Sequence, residues 1–233
     1  MPELVLELRS EEIPARMQAG AAAELQRLME RGLDKAGLTY DSVVCFPTCR
    51  RLALMAFNLP ERQPDVTEEK KGPKVGAPEQ AVQGFMKANG LSDISEAELR
   101  DTDKGQFYFV VRKIAGRPTA EVLPELLQEA IWSLPWPKSM RWAEGSAFRW
   151  VRPLKSILAV FDGKTLDFAP REGGGKGEVV HGLAATDQAS GHPFMGRKPF
   201  TVTDFESYNR GLGEGYVLLL PGVRRELIEK LAS

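Results

Sequence analysis

Leu4, Leu6 and Leu8 alternate with Val5, Glu7 and Arg9 at the start of the chain, the period of a strand with one face on a core. Pro14 then opens a helix, whose first turn tolerates the missing donor, with Glu11 and Glu12 near its positive end. Met17, Ala21, Leu25, Leu28 and Ala36 recur on roughly one stripe up to Gly37, so this helix is expected to cover a sheet. Further strands are predicted across residues 43–46 and 51–59. A strand, a helix and two more strands in close succession demand a layered arrangement, and the placement of Pro and Gly between periodic segments favours many short elements over a helical bundle. The expected class is α+β, with mixed or antiparallel sheets, helices packed on them and two small subdomains.

The pattern dissolves over residues 60–77, where Lys70, Lys71 and Lys74 flank Gly72 and Pro73, and an exposed basic loop is expected there. Pro78 starts a short helix with Val82, Phe85 and Met86 facing inward and Gly90 as its stop. Residues 106–113 alternate as a strand, and a helix carrying Leu123, Leu126, Leu127, Ala130 and Ile131 on its buried side follows. Pro124 is expected either to delay regular bonding until about Leu123 or to bend that helix. Residues 151–161 read as an apolar strand, Asp162-Gly163 as a reversal and residues 166–168 as the return. The Gly-rich stretch 171–180 is expected to form a hairpin tip. Beyond it, a helix is entered from 201 to 208, a strand spans 216–220 and a helix runs from 224 to 232. So periodic a terminal segment reads as cut from something longer. The domain reading is an N-terminal α/β element at 1–59, the basic loop at 60–77, a main α+β module at 78–170 and a tail module at 171–233.

With 233 residues, 42% of them hydrophobic, the chain can bury a substantial core. Its start lacks a secretion signal, and no segment approaches membrane-spanning length, so a cytoplasmic, membrane-free protein is expected. Cys45 and Cys49 form only a C-x3-C pair, far in sequence from His181 and His192, which is not metal-ligand spacing. Residues 171–180 lack the Ser or Thr that closes a phosphate-binding loop after its lysine. Asp101 and Asp103 are read as an exposed turn rather than a magnesium site. Independent catalytic chemistry is therefore not expected, and a formal charge of -1 argues against wrapping long nucleic acid non-specifically.

Against that neutral balance stands one local exception. All four tryptophans lie between Trp132 and Trp150, and from Lys138 to Lys155 five basic residues oppose a single acidic one. Arginine offers a rigid multi-donor fork that binds phosphate and stacks on flat rings, so Lys138, Arg141, Arg149 and Arg152 are candidate contacts to RNA or to a subunit that holds RNA. Trp150, between Arg149 and Arg152, is expected to point the opposite way from Arg149, toward the core. Trp142 is expected there too.

The ordered motifs resemble the N-terminal part of the beta subunit of bacterial heteromeric glycyl-tRNA synthetase. They begin with the opening ELVLELRSEEIPA, and continue through Phe46, Thr48, Arg50, Arg51, Leu52 and Ala53, with Cys49 where the family usually has proline. Lys71, Gly72 and Pro73 follow, then Pro78, Ala81, Gly84 and Phe85, and Gly116 to Thr119. The run PKSMRW from Pro137 to Trp142 is the most distinctive, and Arg149, Val151, Arg152 and Pro153 complete the block. After Pro170 the match is weaker: Gly191, His192 and Phe194 fit a family run, but Ser190 and Pro193 replace its two arginines, and Lys155-Ser156 stand where Arg-Trp is common.

That resemblance implies a non-catalytic subunit that supports tRNA binding and assembly, while the alpha subunit activates glycine with ATP and magnesium. No cofactor is expected on this chain, and its partners would be the alpha subunit and tRNA(Gly). About two thirds of a family subunit, including a part thought to recognise the anticodon, would be absent. The candidate RNA- or subunit-binding residues are Arg50, Arg51, Lys71, Lys138, Arg141, Arg149, Arg152 and His192. For Arg50 and Arg51 the competing reading is structural, one lying on the surface and the other pairing with Glu11 or Glu12. For His192 it is turn stabilisation. A scaffold without RNA contact, or a small-ligand, editing-like pocket lined by His192, Arg149 and Asp167, are the alternative functions.

Overall fold

The computed structural model describes residues 2–103, 105–141, 146–196 and 198–232. In chain order its elements are β1 (Leu4–Ser10), α1 (Ala15–Lys35), β2 (Ser42–Thr48), β3 (Arg51–Phe57), β4 (Val66–Lys74), α2 (Glu79–Asn89), β5 (Glu98–Thr102), β6 (Gly105–Ile114) and α3 (Thr119–Ser133). There follow β7 (Leu154–Phe161), β8 (Lys164–Thr165), the single turn α4 (Glu172–Gly175), β9 (Ala185–Thr186), β10 (Gln188–Ser190), β11 (Pro199–Thr201), α5 (Phe205–Glu214) and α6 (Pro221–Ala232). The chain forms two compact units, Met1–Gln63 with Arg117–Ser233, and Pro64–Gly116. Both mix sheet and helix, so the fold is α+β.

In the larger unit the strands run β2-β3-β1-β7-β8, and β9 joins β7 in parallel while the other pairs are antiparallel. The N-terminal strand is thus interior, hydrogen-bonded to β3 on one side and to β7 on the other. Leu4, Leu6 and Leu8 face a core built with Met17, Leu25, Met29 and Leu33 of α1 and Leu123, Leu127 and Ile131 of α3. The opposite face is buried as well. Val5, Ala53, Met55, Leu158 and Val160 pack with Ala189, Val202, Tyr208, Leu212 and Leu219, so the strand expected to have one core face is buried on its second face too, by the C-terminal region.

Helix entry follows the prolines: Pro14, Pro78 and Pro118 each precede the first residue of α1, α2 and α3. Pro124 neither delays nor divides α3, which is assigned continuously from Thr119. The start is instead fixed by Thr119, buried, whose amide donates to the Glu61 carbonyl and whose hydroxyl donates to that of Pro60. At the β7–β8 reversal Asp162 and Gly163 both adopt positive φ (50° and 73°), as a two-residue turn matched to strand twist requires.

The smaller unit is a three-stranded antiparallel sheet, β4-β6-β5, together with α2. Its first strand replaces the loop expected within 60–77. β4 pairs with β6 from Val66↔Ile114 to Lys74↔Phe107 with an irregularity after Lys71. Gly72 sits there because a β-carbon would stand 2.6 Å from the Phe85 ring. Phe85 and Met86 are half-buried rather than fully enclosed. Gly90 ends α2 in the left-handed conformation (φ 59°).

Candidate functional site

Period two turns Glu7 onto the same side of the sheet as Val5, Ala53 and Met55, an apolar layer in which an ionised carboxylate needs partners. It has two. Arg51 Nη1 donates to Glu7 Oε2 at 2.8 Å, and the Tyr208 hydroxyl donates to the same oxygen at 2.5 Å. Glu7, Arg51 and Tyr208 are 1%, 3% and 0% exposed. Burial first, and then Glu7, holds the Tyr208 hydroxyl well above its usual range, so it remains a donor. Burial works against the Arg51 charge, but Glu7 and Tyr208 outweigh it and raise the guanidinium further. Arg51 also donates to the carbonyls of Ser190 (3.1 and 3.2 Å) and Gly191 (3.4 Å), which pins the segment leading to His192. Arg51, expected at the surface or beside Glu11 and Glu12, therefore lies inside the fold.

Its neighbour Arg50 is the one that meets those acids. Arg50 lies 3.1 Å from Glu12 and 3.5 Å from Glu11, and Glu11 also takes Lys155 at 3.2 Å. Such half-exposed pairs hold a loop loosely, each contributing about 0–1 kcal/mol. Arg50 borders a cleft of about 390 Å³ lined also by Gln18, Thr48, His192, Phe194, Tyr216 and Arg224. His192 Nδ1 accepts the amides of Phe194 and Met195 at 3.3 Å and so organises a turn. Arg149 and Asp167 do not line this cleft; Asp167 borders a different one with Arg171 and Gln128. The alternative pocket of His192, Arg149 and Asp167 is not supported by either cleft, since His192 and Asp167 line different ones and Arg149 lines neither.

The basic run is organised by an isolated antiparallel bridge between Met140 and Trp150, with hydrogen bonds of 2.9 and 3.4 Å. Arg141 and Arg149 flank this bridge, each next in sequence to one of its two residues. Both are exposed, as is Lys138. Among the described residues, no carboxylate lies within salt-bridge distance of these three, whereas Arg50, Arg51, Arg100 and Arg117 all have one. Trp150 points inward and is fully buried, its ring 5.0 Å from Trp136 and 5.8 Å from Phe148, so it is a core indole. Trp142 lies outside the described residues. Strict alternation ends at Val151, which is buried beside Trp150. Arg152 is half-buried, donating to the Val151 carbonyl at 3.1 Å, so it does not simply repeat the exposure of Arg149.

In the smaller unit Lys71 is exposed, with its ammonium 3.8 Å above the centre of the Phe107 ring. Among the described residues there is no group of three or more potential metal ligands, and no helix is long and apolar enough to cross a membrane. Sequence reasoning missed the Glu7–Arg51–Tyr208 network. The one signal was a lone Glu at an alternating apolar position, and its phenolic partner lies 201 residues away in sequence.

Comparison with known proteins agrees with the resemblance read from the motifs. The family profile described as glycyl-tRNA synthetase beta subunit matches residues 4–233, so the match continues through the region after Pro170. The chain belongs to the glycyl-tRNA synthetase beta subunit family. It is 45% identical over 242 residues to the glycine–tRNA ligase beta subunit of Rhodospirillum centenum, covering 98% of this chain and 34% of that protein. It is 46% identical over 229 residues to that of a Ruegeria species (98% and 32%) and 45% identical over 234 residues to that of Phenylobacterium zucineum (100% and 33%). The chain thus spans about a third of the length of the curated relatives it matches.

Proposed function

We propose that the chain serves as the N-terminal part of a glycine–tRNA ligase beta subunit, holding tRNA(Gly) and assembling with the alpha subunit. The observation that supports this reading is the exposure of Lys138, Arg141 and Arg149 around the Met140–Trp150 bridge, with no carboxylate among the described residues within salt-bridge distance of them. The role is positional. Cations steer the polyanion and fix its register, so that the alpha subunit, where glycine is activated with ATP and magnesium, meets the acceptor end. Lys138, Arg141 and Arg149 are assigned to phosphates. Arg152, at the base of the same segment, and Lys71, exposed on the smaller unit, are secondary contacts. Arg50 and His192 belong to the cleft, and Arg51 acts by holding the segment before His192. No group of this chain is assigned a catalytic role.

The test is a titration of labelled tRNA(Gly) with the chain at several salt concentrations, with and without purified alpha subunit. Affinity should fall steeply with salt, and Arg141→Ala with Arg149→Ala should reduce the magnitude of the salt slope by about 1 for each phosphate that is no longer neutralised. Absence of RNA affinity at low salt, even with alpha present, would refute the RNA role. Scaffolding would then be favoured, with Arg50→Ala weakening alpha association as its own check.

A further inference from the structure

The cleft beside Arg50 is assembled from four separate stretches of chain, and its walls are interlocked. A β-carbon at Gly191 or at Gly196 would stand 2.3 Å from the Gly215 carbonyl oxygen, and one at Gly215 would stand 2.7 Å from Gly191 Cα. The His192 amide donates to that same Gly215 carbonyl at 2.6 Å, while Arg51 grips the Ser190 and Gly191 carbonyls from within. Arg224 donates from Nη1 to the carbonyls of Leu218 (2.8 Å) and Leu219 (2.9 Å), fixing the other wall. The volume, about 390 Å³, lies within the range of small-ligand sites.

On this rigid frame the chain displays aromatic surface. Tyr216 takes the left-handed position (φ 61°) that ends α5, where the Val217 amide donates to the Leu212 carbonyl at 2.8 Å, and it is 64% exposed. Phe194, across the cleft, is 70% exposed. Arg50, Arg224 and His192 line the same cleft, and Glu12 is the acidic member of the lining. Flat apolar faces beside cationic forks match an unpaired nucleotide, whose base stacks and whose phosphate is held. A duplex does not offer its base faces in this way.

We propose that the cleft lined by Arg50, His192, Phe194, Tyr216 and Arg224 binds one unpaired nucleotide of an RNA. The assignment rests on the RNA-binding role given above and adds a single-strand preference to it. The experiment measures fluorescence anisotropy of a labelled single-stranded RNA dodecamer and of a blunt RNA duplex against the intact chain. The variants are Tyr216→Gly, Tyr216→Phe and the pair Arg141→Ala with Arg149→Ala. Tyr216→Gly suits the backbone conformation, so it removes the ring while keeping the fold. It should weaken single-strand binding about tenfold, the scale of one lost base–aromatic stack, and leave duplex binding unchanged. Tyr216→Phe should retain the wild-type affinity, and the arginine pair should weaken both probes. Wild-type single-strand affinity that survives Tyr216→Gly would overturn the cleft assignment and leave the RNA role standing. Failure of the wild-type chain to bind either RNA at low salt would overturn both.

Discussion

Glu7→Gln is the sharpest test of how the two layers of the larger unit are joined. The substitution keeps shape and removes charge, leaving Arg51, 3% exposed, without the anion 2.8 Å from its Nη1 and Tyr208 without its charged acceptor. Breaking a buried pair from one side costs about 3–5 kcal/mol, because the remaining charge is uncompensated. For a chain of this size that corresponds to a fall in melting temperature of roughly 6–20 °C, at about 2–4 °C per kcal/mol. Tyr208→Phe removes one hydrogen bond to a charged group and should cost about 1.5–3 kcal/mol. The double substitution Glu7→Leu with Arg51→Met should recover much of the sum of the two single losses. It should still fall short of wild type, because the Ser190 and Gly191 carbonyls lose their donor. The assay is urea unfolding followed by tryptophan fluorescence, which reads the larger unit alone because all four tryptophans belong to it. Glu7→Gln within about 1 kcal/mol of wild type, or strictly additive effects in the double variant, would refute the claim that these side chains form one ion-paired network.

Gly191→Ala should destabilise by about 1–3 kcal/mol in the same assay, since its β-carbon meets backbone at 2.3 Å, whereas Gly20→Ala, with nothing within 4 Å, should stabilise α1 by about 0.4–1 kcal/mol. Asp204 caps α5, its Oδ1 accepting the Ser207 amide at 2.7 Å, and that bond is the main reason its carboxyl is held below the usual range. Asp204→Ala should therefore cost about 1 kcal/mol near neutral pH, and the difference from wild type, measured by urea unfolding, should shrink as pH falls below about 4 through the lowered folded-state value. Cys49 is exposed, while burial pushes the Cys45 thiol up to about 12. A thiol reagent at neutral pH should thus modify exposed Cys49 well before half-buried Cys45, and unfolding should remove most of that difference. Because the folded chain keeps the Cys45 proton longer than the unfolded chain does, that group's contribution to stability should decline as pH rises from 9 toward 12.

Much of the first half of the larger unit was legible because its signals are local. Alternating leucines mark β1, Pro14 marks the entry to α1, and the stripe from Met17 to Leu25 marks the buried face. The smaller unit hid two strands. β4 reads VTEEKKGPK and β5 reads ELRDT, mostly exposed, so neither carries a period-two apolar signal, and both owe their pairing to β6. Conversely, residues 216–220 are apolar enough to suggest a strand but form irregular backbone, because Leu219 serves the core singly and Tyr216 reverses the chain. At the candidate site the basic run was legible as composition. What was not legible was the split of Arg50 and Arg51 to opposite fates, which depends on which face of β3 the C-terminal region comes to cover.

The interior position of β1 has a consequence for biosynthesis. Its partner β3 emerges from the ribosome soon after it, but the other side stays open until β7 at Leu154–Phe161 has been made. At about 5–20 residues per second, that leaves a bare strand edge for roughly 5–20 s. Residues 64–116, contiguous in sequence, are all synthesised within that interval, so the inserted unit has the opportunity to mature before its host. Until then the nascent chain carries a sticky border, and a chaperone docking there would shield the segment most prone to mispair.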